Sequence, residues 1–343
     1  MKAIVLHHHG TLDDVSYADV PEPEVGPDEL LIEIKAAALN RLDLWVLEGW
    51  RGLKLQFPHI MGCDGAGVIT AVGNNVNGFN LGDHVCINPT RSCGRCDYCL
   101  MGRDNLCDHF AIFGEHLPGF FAQYQAIPSR NLVMMPPEAS FEVAAAASLV
   151  YVTAWHSLIE AGRFQAGEDI LIIGAGGGVN TAYIDIARFA GAGKIYVISA
   201  NDRKLSTARQ LGADVSINRT DQNWVHQLFE ATNRRGVDVV VDNVGAATYR
   251  DSLRTLKKGG RLLTVGNTSG STINLDNRYL FGKHLQIIGS TMGTLNDYKQ
   301  VMNHIFQGRL HPLIDRTYPL SGGIAALRYL EAGEVAGKLV LQP

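Results

Sequence analysis

DILIIGAGGGVNTAYIDIARFAG, residues 169–191, is a strand, a glycine turn and a helix in immediate succession. The opening run is continuously apolar and β-branched, as in a strand buried on both faces. The turn is Gly174-Ala175-Gly176-Gly177-Gly178-Val179-Asn180, and TAYIDIARFAG after it is amphipathic. That order offers free backbone N–H groups and a helix N-terminus to a diphosphate. The cluster departs from G-x-G-x-x-G, because Val179 stands where the third glycine falls when counting from Gly174.

Downstream the same alternation continues. KIYVISA (194–200), RKLSTARQLGA (203–213), DVSINR (214–219), WVHQLFEATNRRG (224–236), VDVVVDNVG (237–245), YRDSLRTLKKGG (249–260) and RLLTVGN (261–267) alternate strand and helix. The prediction is a doubly wound parallel sheet with its ligand at the carboxyl ends of the strands. Cofactor contacts are expected at Gly176, Gly177, Gly178 and Val179 after the first strand. They are also expected at Ser199 and Asn201 after the second, and at Asn243, Val244, Gly266 and Thr291 after later ones. An acid at the end of the second strand would bind the ribose 2′-OH of NAD; Ser199 stands there instead, with Arg203 and Lys204 close behind. This favours NADP(H), with NAD(H) the alternative.

Upstream, the chain is richer in short β-type runs separated by turn residues. Examples are LLIEIKAAAL (30–39), GAGVITAVG (65–73) and HVCI (84–87). These predict an all-β, partly closed barrel. From it projects RSCGRCDYCLMGRDNLC (91–107), which holds Cys93, Cys96, Cys99 and Cys107. Cysteines two residues apart bridge one another poorly, whereas four thiolates suit a tetrahedral Zn2+. With every position filled by sulfur the site is closed, hence structural: one zinc per chain.

The 343 residues, 46% hydrophobic and 19% charged, suit two domains with real cores. A net charge of −4 points away from nucleic acid and membrane surfaces. The apolar run Val143–Ile159 is broken by Ser148, Thr153, His156 and Ser157 and reads as a buried helix. His7, His8 and His9 read as a solvated turn, and thiolate cysteines without an export signal suggest the cytoplasm. After Thr291, LNDYKQVMNHIFQGRL reads as a helix, DRTYPL as a strand, then come another helix and a final strand, KLVLQ, with the tail returning to the first domain. The expected bounds are 1–146 with 292–343 for the β-rich domain, its lobe at about 90–110, and 147–291 for the nucleotide domain.

This layout, with GCDGAGVITAVG (62–73), GFNLGDHV (78–85), the cysteine lobe, the GAGGGV turn and GSTMG (289–293), resembles the medium-chain dehydrogenase/reductase superfamily. The likeness is strongest to its zinc-binding alcohol dehydrogenase-like branch. The resemblance implies an α/β two-domain enzyme: a GroES-like barrel plus a Rossmann domain. Zinc alcohol dehydrogenases carry a catalytic zinc on a Cys that falls at Asn40, a His that falls at Cys63, and a third ligand that falls at about Leu149. Only Cys63 could bind metal, and a lone Cys is usually a small buried hydrophobe.

Asn40 is what zinc-free quinone oxidoreductases carry, which implies hydride transfer to quinones or α,β-unsaturated carbonyls without a catalytic zinc. By resemblance Asn40 and Asp43 are the catalytic candidates lining the cleft between the domains, and Thr153 contacts nicotinamide. Trp45, Trp50 and Tyr151 are candidates for an apolar wall, and His59 and His156 for a proton donor. The competing readings are an alcohol/aldehyde dehydrogenase with a variant site and a non-catalytic NADPH-binding sensor or interaction protein. Small-molecule carbonyls or quinones are the expected partners. His284–Ile288 reads as an apolar sheet edge, and in the family such strands pair across a two-fold axis, which implies a homodimer or homotetramer.

Overall fold

The run after Asp169 becomes the strand Ile170–Ile173 of a six-stranded parallel sheet. Its neighbours are Ile195–Ser199 on one side and Val237–Asp242 on the other. Val215–Asn218 and Leu256–Thr264 follow outward, and Gln286–Gly289 lies at one edge. The central strands are fully buried, as continuous apolar composition requires when helices cover both faces. The structure is a computed structural model describing residues 1–221 and 223–343. The chain forms two compact units, Val150–Gly293 around this sheet, and Met1–Leu149 with Thr294–Pro343.

The second unit holds a seven-stranded sheet. Leu132–Met134, His84–Ile87, Asp64–Val72, Glu29–Ala38, Lys338–Gln342 and Ile314–Pro319 are neighbours in that order, and Tyr124–Pro128 also pairs with Glu29–Ala38. The tail's last strand joins by the register Val340↔Ala38 and Leu341↔Ala37. Alternation along Glu29–Ala38 sends Leu30, Ile32 and Ile34 into a core with Ile69, Val85, Phe120 and Leu339. Gly62 in this unit has φ +97°, and a Cβ there would fall 2.2 Å from the Phe121 ring, so no larger residue fits.

The expectation of an all-β first domain needs correcting. Arg41–Glu48 is a helix within its β-rich part, while Gly323–Glu331 is the second helix expected in the tail. The first starts because Asp43 accepts the Asn40 backbone N–H at 2.6 Å, and it ends at Gly49 with φ +73°. The apolar run at 143–159 is helical, within Phe141–Trp155 and the wider turns of His156–Ala161, and mostly buried.

Candidate active site and metal centre

The cysteine lobe is closed at its base by the two-stranded pair Thr90–Arg91 and Ala111–Ile112, with the short helix Asp97–Leu100 between. Cys93, Cys96, Cys99 and Cys107 bring their sulfurs within 4.8 Å of one another, and Cys93 Sγ lies 3.9 Å from Cys99 Sγ. Zn–S bonds of about 2.3 Å in a tetrahedron place sulfurs about 3.8 Å apart, so the cluster fits zinc. Backbone N–H groups also prepare the thiolates. Those of Arg95 and Cys96 draw Cys93 down to about 6, and those of Cys99 and Asp108 lower Cys96. Burial and the neighbouring sulfurs push Cys99 up to about 11, a shift that a bound cation would reverse.

At the carboxyl ends of the parallel strands, Gly174–Val179 follows Ile173, Ser199 ends its strand, Asn243 and Val244 follow Asp242, and Gly266 follows Thr264 by two residues. Thr291 stands two residues beyond Gly289. The strand order reverses direction at Ile170–Ile173, which is where a nucleotide crevice forms. Helix Gly178–Phe189 begins at Gly177, which has no side-chain cap and would leave a Cβ in open space. The start of this helix is therefore open, as a diphosphate site requires.

Asn180, absent from the expected contacts, closes this turn from beneath. Its Nδ2 donates to Ile173 O at 3.1 Å and its Oδ1 accepts from Asn243 Nδ2 at 3.3 Å, while Asn243 Oδ1 accepts the Val265 N–H. Val179 is simply the second residue of the helix. Ser199 Oγ accepts the Asn201 N–H, and Asn201 caps the next helix through the Lys204 N–H. The Lys204 stem lies along the glycine turn: a Cβ placed on Gly176 would fall 2.5 Å from its Cδ. The Asp202 carboxylate accepts from Asn218 Nδ2, and Arg203 is exposed. Thr153 Oγ1 donates to Met292 Sδ at 3.6 Å.

In the β-rich unit, three strand ends meet: the end of Glu29–Ala38 and the starts of Asp64–Val72 and Lys338–Gln342. Two residues past Ala38, Asn40 Oδ1 accepts from Lys338 Nζ at 2.5 Å and Asn40 Nδ2 donates to Asp64 Oδ2 at 2.8 Å. Lys338 Nζ also donates to Asp64 Oδ2 at 2.8 Å, closing a ring of three contacts. Asp64 Oδ1 accepts the Leu149 N–H at 2.8 Å. Asp43 Oδ1 accepts from Cys63 Sγ at 3.9 Å. Asn40, Asp43, Cys63, Asp64 and Lys338 are all buried.

Thus the three positions matched by resemblance to zinc ligands do converge around Asp64, but as amide, thiol and alkyl groups. Burial, then the Asp43, Asp64 and Glu115 carboxylates, hold the Cys63 thiol well above its usual range. An amide whose oxygen is taken by an ammonium and a leucine leave Cys63 as the one ligating side chain of the three, too few for a catalytic zinc. Burial also pushes Asp43 up to about 7, with the Asn40 N–H and Lys338 pulling the other way, and pushes buried Glu115 up to about 7. Lys338, Asp64 and Glu115 escaped sequence reading. The only signal for Lys338 was a cation opening an otherwise apolar strand.

The remaining candidates scatter. Tyr151 donates its hydroxyl to Asp185 at 2.8 Å, which spends it structurally. Trp50 is exposed and Trp45 half-buried. His59 is buried against Gly114 O at 3.1 Å, and burial lowers its pKa, so it is a neutral core histidine. His7 and His8 are exposed as expected, whereas His9 is bonded to Val46 O at 2.9 Å.

Two family models match: the alcohol dehydrogenase GroES-like domain over residues 26–137 and the zinc-binding dehydrogenase domain over 178–307. The acryloyl-coenzyme A reductase of Sulfurisphaera tokodaii is 31% identical over 344 aligned residues, covering all of both chains. An alcohol dehydrogenase of Schizosaccharomyces pombe is 29% identical over 99% of this chain and 97% of its own. Among solved structures, an NAD-dependent alcohol dehydrogenase superposes with a TM-score of 0.95 at 40% identity, with full coverage of both chains. A glycine turn at the switch point of a parallel sheet, a four-cysteine lobe and end-to-end likeness to these enzymes make one assignment: the chain belongs to the zinc-type medium-chain dehydrogenase/reductase superfamily and is an NAD(P)-dependent oxidoreductase.

Proposed function

We propose that the chain is an NADPH-dependent reductase of α,β-unsaturated carbonyls, quinones included, that works without a catalytic zinc. One observation carries this reading: of the three matched positions only Cys63 is a ligating residue, while Asn40 is engaged by Lys338 and Asp64, and the described residues hold no ligand group for a Lewis-acid metal there. Oxidation of a simple alcohol needs its hydroxyl proton removed as hydride leaves, and nothing here supplies metal-assisted acidity. Reduction of a conjugated acceptor asks less, because the acceptor is already electrophilic. The likeness to an acryloyl-coenzyme A reductase supports the same class. The likeness to alcohol dehydrogenases supports a second reading, alcohol/aldehyde oxidoreduction through a variant site.

A bound reduced nicotinamide supplies the hydride. Gly176, Gly177, Gly178 and Val179 would hold the diphosphate, and Asn243, Val244, Gly266, Thr291 and Thr153 would frame the rest of the cofactor. Ser199, Asn201, Arg203 and Lys204 would receive a 2′-phosphate, since no carboxylate stands at Ser199 to repel it. Asn40 and Asp43 would form the polar floor of the substrate site. Zinc would sit on Cys93, Cys96, Cys99 and Cys107 and hold the lobe. Two copies would pair along Gln286–Gly289, a sheet edge with Ile287 exposed and with Ile273, Leu275 and Phe281 exposed in the residues before it. Free thiols suit a reducing compartment such as the cytoplasm.

Steady-state turnover with enones, enoyl thioesters, quinones and primary alcohols, each with NADPH/NADP+ and NADH/NAD+, tests the proposal. NADPH-dependent reduction of conjugated acceptors should exceed alcohol oxidation. Faster alcohol oxidation would favour the second reading.

A further inference from the structure

We propose that Lys338 is a positioning residue that, paired with Asp64, fixes the Asn40 carboxamide in one orientation at the floor of the site. The proposal deepens the reductase reading and rests on it for the link to turnover, but its geometry stands alone.

An ammonium only donates. The Asn40 atom 2.5 Å from Lys338 Nζ is therefore oxygen, which turns Nδ2 toward the Asp64 carboxylate at 2.8 Å. A flipped amide would set N–H against ammonium and oxygen against carboxylate, so both contacts would become repulsive. The amide thus has one orientation. Its second N–H reaches Ala38 O only at 3.4 Å, so this bond is weak.

The same contacts explain why a lysine is tolerated where its side chain is only 3% exposed. A buried ammonium needs a counter-charge and acceptors, and Asp64 and Asn40 provide both. Such a pair adds little net stability, because desolvating both charges offsets their attraction. Its value is directional: it ties the starts of two strands to the residue that opens helix Arg41–Glu48.

The test is solvent exchange of the 15N-labelled Asn40 carboxamide, identified by its disappearance in Asn40→Ala. In the wild type the signal should exchange slowly. In Lys338→Met it should exchange about 10- to 100-fold faster, the range for losing a hydrogen bond to a charged group. Where that variant does not fold, Lys338→Gln, which removes the charge and leaves Asp64 as the acceptor, gives the same reading. Lys338→Arg keeps a charged donor and should recover most of the protection. Turnover with the best acceptor should fall about 10- to 100-fold in kcat in the folded uncharged variant, with NADPH affinity held. Unchanged exchange in whichever of these two uncharged variants folds would overturn the proposal; faster exchange with unchanged kcat would overturn the link to the reaction. If the wild type reduces no acceptor at all, the reductase reading fails while the exchange rates still decide the role of Lys338.

Discussion

Asn40 spends both ends of its carboxamide inside the protein, on Lys338 and Asp64. Asn40→Ala should therefore do more than remove one polar group: it leaves Lys338 with one partner fewer in a buried site. We expect kcat for conjugated acceptors to fall about 10- to 1000-fold, the range for losing an oriented polar group at a reacting centre. Normal turnover in that variant would remove Asn40 from the mechanism. Asp43 gives a prediction about pH. Burial raises its carboxyl to about 7, above its unfolded value, so the folded chain holds a proton there that the unfolded chain releases from about pH 4 upward. Its contribution is complete at low pH and is lost as pH rises through 7. Asp43→Asn should gain stability relative to wild type between pH 5 and pH 8, measured by denaturant midpoints. A pH-independent difference would contradict the assignment.

Ser199 carries the cofactor prediction. Ser199→Asp should shift preference from NADPH toward NADH by charge repulsion, and Arg203→Ala should weaken NADPH and spare NADH. Equal affinity of the wild type for both cofactors would count against it. The placement of such residues was legible because type and position along the chain sufficed: a serine at a strand end, an asparagine two residues past another. Lys338 was not legible. It lies 298 positions from Asn40, and only the pairing of the tail strand with Glu29–Ala38 brings the two together.

Elements were read best where a pattern is local. The parallel sheet follows from apolar runs of strand length alternating with amphipathic helices, and the strands at residues 170–173, 195–199 and 237–242 confirm it. Helix Arg41–Glu48 was missed because eight residues carry too little periodicity, and its start depends on the Asp43 cap. Asn180 was passed over because a side chain in the place of a missing glycine gives no sign in sequence of what it will bond. The cysteine lobe is the element whose order depends most on a ligand. Its helix is four residues long, and much of its surface, including Leu100 and Met101, is exposed. Metal binding and ordering are coupled in such a lobe. Cys96→Ser should lower the melting temperature by about 5–15 °C and increase proteolysis within 91–107. An unchanged melting curve would show that the lobe folds without metal.

At the scale of the whole molecule, two features concern assembly and chemistry. Among the described residues the Gln286–Gly289 strand pairs with a neighbouring strand on one side only, and Ile287 is exposed, an edge of the kind that pairs with a second copy unless something covers it. Light scattering should return a dimer or a multiple of one, and a monomer at micromolar concentration would contradict the pairing. The chemistry turns on how many zinc ions the chain holds. Among the described residues one four-sulfur cluster fits a metal, while Asn40, Asp64 and Lys338 bond to one another. Zinc content per chain in active, reduced, unchelated protein is the most direct test. The account predicts one zinc, bound at Cys93, Cys96, Cys99 and Cys107, and turnover that mild chelation leaves unchanged while that zinc stays in place. Two zinc ions per chain, with activity lost on mild chelation and restored by zinc, would contradict it.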